Sequence, residues 1–170
     1  MITIFIIAFT SVISISAFQR SDFQSRLLFN AYSIKHSRQW WRFFSHGLVH
    51  GNWEHLIFNM LSLYMMGAAV EQYYQIIFEE KGRLLYILLY VGGLAMSSIY
   101  SYEKNKNNIY YNALGASGAV SAVVFAFIVI APTSKLMLMF IPVPIPAYLF
   151  GLIYLGIEYY LGKRGNSNIG

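Results

Sequence analysis

Apolar residues gather into five runs separated by polar breaks. A helix crossing the hydrocarbon layer of a bilayer needs roughly 20 mostly apolar residues, within a range of about 17 to 25. The first run, Ile2 to Phe18, has only Thr and Ser as polar members, and both can bond back to their own helix. It lacks the positively charged start of a secretory signal, and further spans follow, so it reads as a retained span. The second run extends from about His55 to Tyr74. After the charged break Glu79, Glu80, Lys81, Gly82, Arg83 comes the third, from about Leu84 to Tyr102. The fourth, about Ala113 to Ala131, stops at Pro132, because proline removes a helix hydrogen bond and clashes with the preceding turn. The fifth, Pro146 to Leu161, is slightly short.

The intervening segments carry their own signals. Gln19 to Ser45 mixes Arg20, Arg26, Lys35, Arg38 and Arg42 with Phe23, Phe29, Trp40 and Trp41, a composition suited to chain resting on a membrane surface. Lys135 to Pro144 reads as extended, since Pro142, Pro144 and Pro146 each push their predecessor out of helical geometry. The tail, Gly162 to Gly170, is polar.

Composition agrees with the bilayer as solvent. The chain has 170 residues, a single-domain length, with 57% hydrophobic and only 11% charged residues, against about 25% charged in ordinary globular chains. The absence of cysteine excludes disulfides, a thiol nucleophile and thiolate metal sites. The net charge of +5 comes from basic residues scattered over the polar breaks. No stripe tracks phosphates, which argues against a nucleic-acid partner.

Polar residues at membrane depth are costly and often mark function. His46, His50, His55 and Asn59 lie at the entrance to the second span. At roughly 100° per residue, His55 and Asn59 share one helical face, as do His46 and His50. No single register joins all three imidazoles, and the metalloprotease spacing H-E-x-x-H is missing, so no metal site is expected. The fourth span opens Gly115-Ala116-Ser117-Gly118. Glycines leave the Ser117 hydroxyl approachable, and a helix N-terminus favours an oxyanion beside it, although a serine there is commonly a cap or a packing residue. Beyond it, Gly118, Ala122 and Ala126 form a small-residue stripe suited to close helix packing.

Together these segments resemble the rhomboid family of intramembrane serine proteases. The resemblance rests on Trp41-Arg42, on His46-x-x-x-His50-x-x-x-x-His55-x-x-x-Asn59, and on Gly115-Ala116-Ser117-Gly118, in that order along the hydropathy profile. It implies an all-α, polytopic transmembrane helical bundle in which Ser117 is the nucleophile. His55 and Asn59 would join the Ser117 N–H in stabilising the oxyanion. Trp41 and Arg42 would brace the first loop, with His46, His50, Gly115, Gly118 and the second-span Glu71 as architecture. It also implies transmembrane protein substrates, a bilayer environment, no cofactor, and a multi-pass location such as a bacterial inner membrane.

The family's general base is a histidine on a sixth helix, and the last histidine here is His55. Residues 1–170 therefore read as one rhomboid-like domain with five of six core helices, cut short at its C-terminal end, the stripe at Gly118 being left for the missing helix. A catalytically inactive relative that holds transmembrane clients is the alternative, and a small transporter the third. In the family's orientation nine Lys and Arg lie outside and three inside, opposite to the positive-inside rule. The resemblance would keep the amino terminus and Lys135 inside.

Overall fold

The computed structural model describes residues 1–138 and 141–163, with side-chain surroundings for 1–136, 144–153 and 155–156. The polar tail at 164–170 lies outside the described residues. The chain is mostly helical. Helix α1 (Ile2–Phe18) is followed by three short helices in the first connection, α2 (Ser21–Leu27), α3 (Ala31–Ser37) and α4 (Arg42–Ser45). Helices α5 (Trp53–Ser62) and α6 (Ala68–Phe78) run on through a π turn at Leu63–Gly67. The long α7 (Gly82–Asn105), α8 (Ser117–Ile130) and α9 (Ala147–Lys163) complete the helical set. The run Trp53–Asn105 contains a window long and apolar enough to cross a membrane, with mean hydropathy 1.6; Ile2–Phe18 and Ser117–Ile130 are apolar but shorter.

Two elements differ from the sequence expectation. The segment from Lys135 is extended, as its prolines require, but it folds on itself: β1 (Lys135–Leu138) pairs antiparallel with β2 (Ile141–Pro146). The all-α expectation is corrected by that hairpin. The fourth span starts as a helix at Ser117 and not at Ala113. Ala113 exchanges both backbone hydrogen bonds with Phe29, at 3.0 and 2.8 Å, and Gly115 sits at φ +113°, where a right-handed helix cannot continue.

Packing centres on α7. It turns back antiparallel against α6, with the Tyr86 hydroxyl beside Gly67 and ring contact between Tyr74 and Tyr86. On its other face it crosses α8 so closely that backbones meet. A Cβ at Gly93 would lie 2.8 Å from the Ala122 Cβ and 3.0 Å from the Gly118 oxygen, and one at Gly118 would overlap the Ser97 Oγ. The stripe at Gly118 and Ala122 is thus filled by α7, which corrects the expectation that it waits for another helix. Small residues let two helices approach until van der Waals contact replaces side-chain volume.

At one end of the bundle, α1 begins on a carboxylate. Glu71, buried on α6, accepts the Ile2 N–H at 2.8 Å, the Thr3 N–H at 2.9 Å and the Thr3 hydroxyl at 2.7 Å. The Thr3 hydrogen is then committed, so the Tyr86 hydroxyl, 2.9 Å away, donates to Thr3 Oγ1. First-turn N–H groups have no intrahelical acceptor, and a negative charge there also meets the positive end of the helix dipole.

Candidate active site

At the other end of the same bundle lie the histidines and Ser117. Trp41-Arg42 opens α4, and the two residues part company. Arg42 is buried, with Nε donating to Gln39 Oε1 at 2.6 Å and Nη1 to the carbonyls of Ser25 and Leu28 at 2.9 and 2.6 Å. It thereby ties the end of α2 to α4. Trp41 is exposed and, with Phe5, Phe9, Phe44 and Tyr90, lines an apolar groove of about 560 Å³. The bracing expected of the pair falls to the arginine.

His46 follows α4 in a 3-10 turn and is buried. Ser98 Oγ donates to the Leu94 carbonyl on its own helix, which leaves His46 Nε2–H to donate to Ser98 Oγ at 3.0 Å. The His46 carbonyl accepts the Gly115 N–H at 2.9 Å. His50, in the connection ahead of α5, is fully buried: Nδ1 lies 2.8 Å from Ser14 Oγ, and Nε2 lies 3.4 Å from the Ala116 nitrogen. His36 is exposed, with its ring 4.2 Å from that of Tyr32.

Asn52 caps α5, accepting the His55 N–H on its side chain at 2.8 Å. The break at Gly51-Asn52 therefore separates the His46/His50 pair from the His55/Asn59 pair, and His55 turns its ring onto the loop before α8. A Cβ at Gly115 would stand 2.5 Å from His55 Cε1 and 2.7 Å from Nε2. Only a glycine leaves room for the imidazole. His55 Nε2 is buried with no hydrogen-bond partner among the described residues, while the ring stands edge-on to that of His50 at 5.0 Å. One turn on, buried Asn59 donates to the His55 carbonyl at 2.9 Å.

Ser117 is half-buried and is the first residue of α8; Ala116, not Ser117, holds the cap position. The approach to it is pinned from upstream. Besides the Phe29 bridge, the Asn30 amide donates to the carbonyls of Ile109 and Tyr111 and to Asn112 Oδ1. The structure thus brings His46, His50, His55 and Gly115 together around the loop into Ser117, with Asn59 a turn away and Trp41 apart. Ser14, Ser98, Phe29 and Asn30 complete this arrangement without any signal in their spacing.

Comparison with known proteins places the chain. Its residues 37–170 match the Rhomboid domain model, and the chain belongs to the rhomboid family. It is similar to the rhomboid protease AarA of Providencia stuartii, at 28% identity over 108 residues, covering 59% of this chain and 37% of that protein. It is also similar to RHOMBOID-like protein 12, mitochondrial, of Arabidopsis thaliana, at 28% over 125 residues, covering 68% and 36%. The matched region spans just over a third of each relative's length.

Proposed function

We propose that this chain acts as a polytopic intramembrane serine endopeptidase that hydrolyses peptide bonds in or near transmembrane segments of other proteins. The observation that carries the reading is the His55 imidazole lying on Gly115, two residues ahead of Ser117, with Nε2 buried and unpartnered. A donor held in a water-poor site without a ground-state partner suits an oxygen that becomes charged only during reaction. In this reading the Ser117 hydroxyl attacks the scissile carbonyl, and its proton passes to a base. The Ser117 N–H, at the positive end of α8, stabilises the oxyanion together with His55 and Asn59.

None of the four histidines of this chain is disposed as the base. His36 is exposed beside the tilted Tyr32 ring, His46 bonds Ser98, His50 bonds Ser14, and His55 is assigned to the oxyanion. In the proteolytic reading the base is a group other than these four, the role that the family gives to a histidine on its sixth helix. The engagement of His46 with Ser98 and of His50 with Ser14 is what a second reading, a non-catalytic holder of transmembrane clients, would build on.

A direct test compares residues 1–170 in liposomes with the same chain extended by the histidine-bearing helix of a family protease. The expected result is slow fluorophosphonate labelling and no cleavage for the first. The extended chain should both label and cleave a transmembrane substrate, and Ser117→Ala should lose both. A folded, extended chain that holds the substrate without labelling or cutting it would support the second reading. For orientation, cysteines at positions 101 and 135 in intact cells should label with an impermeant reagent at 101 alone.

A further inference from the structure

We propose that His50 is a positioning residue, locked by the Ser14 hydroxyl of α1 into the tautomer whose Nε2 holds the Ala116 peptide and so aims the loop entering Ser117. The directions of the hydrogen bonds settle the tautomer. Ser14 Oγ lies 2.8 Å from the Leu48 carbonyl, which can only accept, so the single hydroxyl hydrogen goes there. The 2.8 Å contact between Ser14 Oγ and His50 Nδ1 then requires Nδ1 to carry the proton. Nε2 is left with its lone pair, and the Ala116 N–H points at it at 3.4 Å. All three bonds run one way: Ala116 to His50, His50 to Ser14, Ser14 to Leu48.

With the Gly115 N–H given to the His46 carbonyl, the two amides before Ser117 are both turned toward the histidine connection. The oxyanion of the proteolytic reading would form beside this backbone, so this role rests on the reading of Ser117 as nucleophile. The His50 ring also forms the wall against which His55 stands, 5.0 Å away and at 76°. A protonated ring could not accept from Ala116. Burial, with the neighbouring His55 adding to it, holds His50 far below the ordinary histidine value, at about 3. The ring is therefore neutral at neutral pH, and the hydrogen-bond directions select its tautomer. A serine on the buried face of α1, which also carries Thr3 and Thr10, thus reaches the site through one imidazole.

The test uses residues 1–170 with ¹⁵N-labelled histidine in bicelles. In the unmodified chain His50 should show a protonated Nδ1 and an unprotonated Nε2, and the Ala116 amide should exchange slowly. Ser14→Ala should mix the tautomers and speed Ala116 exchange at least tenfold, while leaving the Thr3 amide, held by Glu71, unchanged. Ser14→Thr, which keeps the hydroxyl, should restore both. In the chain extended by a histidine-bearing helix, Ser14→Ala should lower kcat about tenfold with KM unchanged. A protonated Nε2 in the unmodified chain, or Ala116 exchange indifferent to Ser14→Ala, would overturn the proposal. Normal tautomer and exchange results with no cleavage by the extended, folded chain would instead sink the proteolytic reading and with it the catalytic consequence of the relay.

Discussion

Two buried polar clusters sit toward opposite ends of the second span, and their bookkeeping differs. Around Glu71 every contact is closed: two backbone N–H groups and a hydroxyl converge on the carboxylate, and Tyr86 donates to Thr3 in turn. Around Gly115 the set is left open, because His55 Nε2 is buried with no partner among the described residues. A closed set rigidifies a fold, whereas a buried polar atom without a partner costs free energy that a ligand can recover. Hydrogen-bond completeness sets the Glu71 cluster apart from the Gly115 end, where His46 Nδ1 is also buried without a partner among the described residues.

The largest expected effect tests that separation directly. Glu71→Ala strands two α1 amides and the Thr3 hydroxyl and should destabilise the fold by roughly 4 kcal/mol, since hydrogen bonds to charged groups are worth about 1.5–3 kcal/mol each. His55→Ala should cost less than about 1 kcal/mol of stability, yet cut cleavage by the extended chain about 10²- to 10³-fold, as loss of an oxyanion donor does. Unfolding curves and steady-state rates on both variants would break the comparison if the two effects were exchanged.

Gly115→Ala sharpens it at the open end. The new Cβ meets the His55 ring and the residue sits at φ +113°, so a loss of about 2 kcal/mol in denaturant unfolding is expected, accompanied by lost labelling of Ser117. Gly93→Ala, which only crowds Ala122 and the Gly118 backbone, should cost about 1–2 kcal/mol. The effect of pH is absent near neutrality and grows only on the acid side. His50 binds its proton far less readily folded than unfolded, so its contribution to stability is complete above about pH 6.5 and is lost as pH falls from there toward about 3. A pH series of unfolding midpoints on the unmodified chain and His50→Gln should show that acid-side loss shrink in the variant.

Hydropathy anticipated the elements whose formation is decided by transfer free energy. The first run and α1 share the bounds Ile2–Phe18, and the third and fifth runs fall within α7 and close to α9. It misplaced the start of α8, because Ala113-Leu114 are apolar in composition but Ala113 is bound to Phe29, a partner far upstream that no local window contains. The stripe at Gly118 was visible as a packing surface, yet its occupant was not, since Gly93 and Ser97 on α7 carry no mark of their destination. Among polar residues, histidines in an apolar setting stood out, whereas Ser14 did not. Two positions later, Ser16 bonds back to the Val12 carbonyl of its own helix at 2.8 Å, as serines in apolar helices commonly do. Composition cannot tell that serine from the one that reaches His50.

The loop that delivers Ser117 leans only on earlier parts of the chain in the contacts described above. Phe29 pairs with Ala113, Asn30 holds Asn112, His46 accepts from Gly115, and His50 accepts from Ala116. A polypeptide emerges from the ribosome amino end first, and its leading segments generally fold before its trailing ones. Each of these four anchors is thus synthesised well before the residues it secures. In order of synthesis the turn into α8, with Ser117 at its end, is thus the last piece of this arrangement to leave the ribosome.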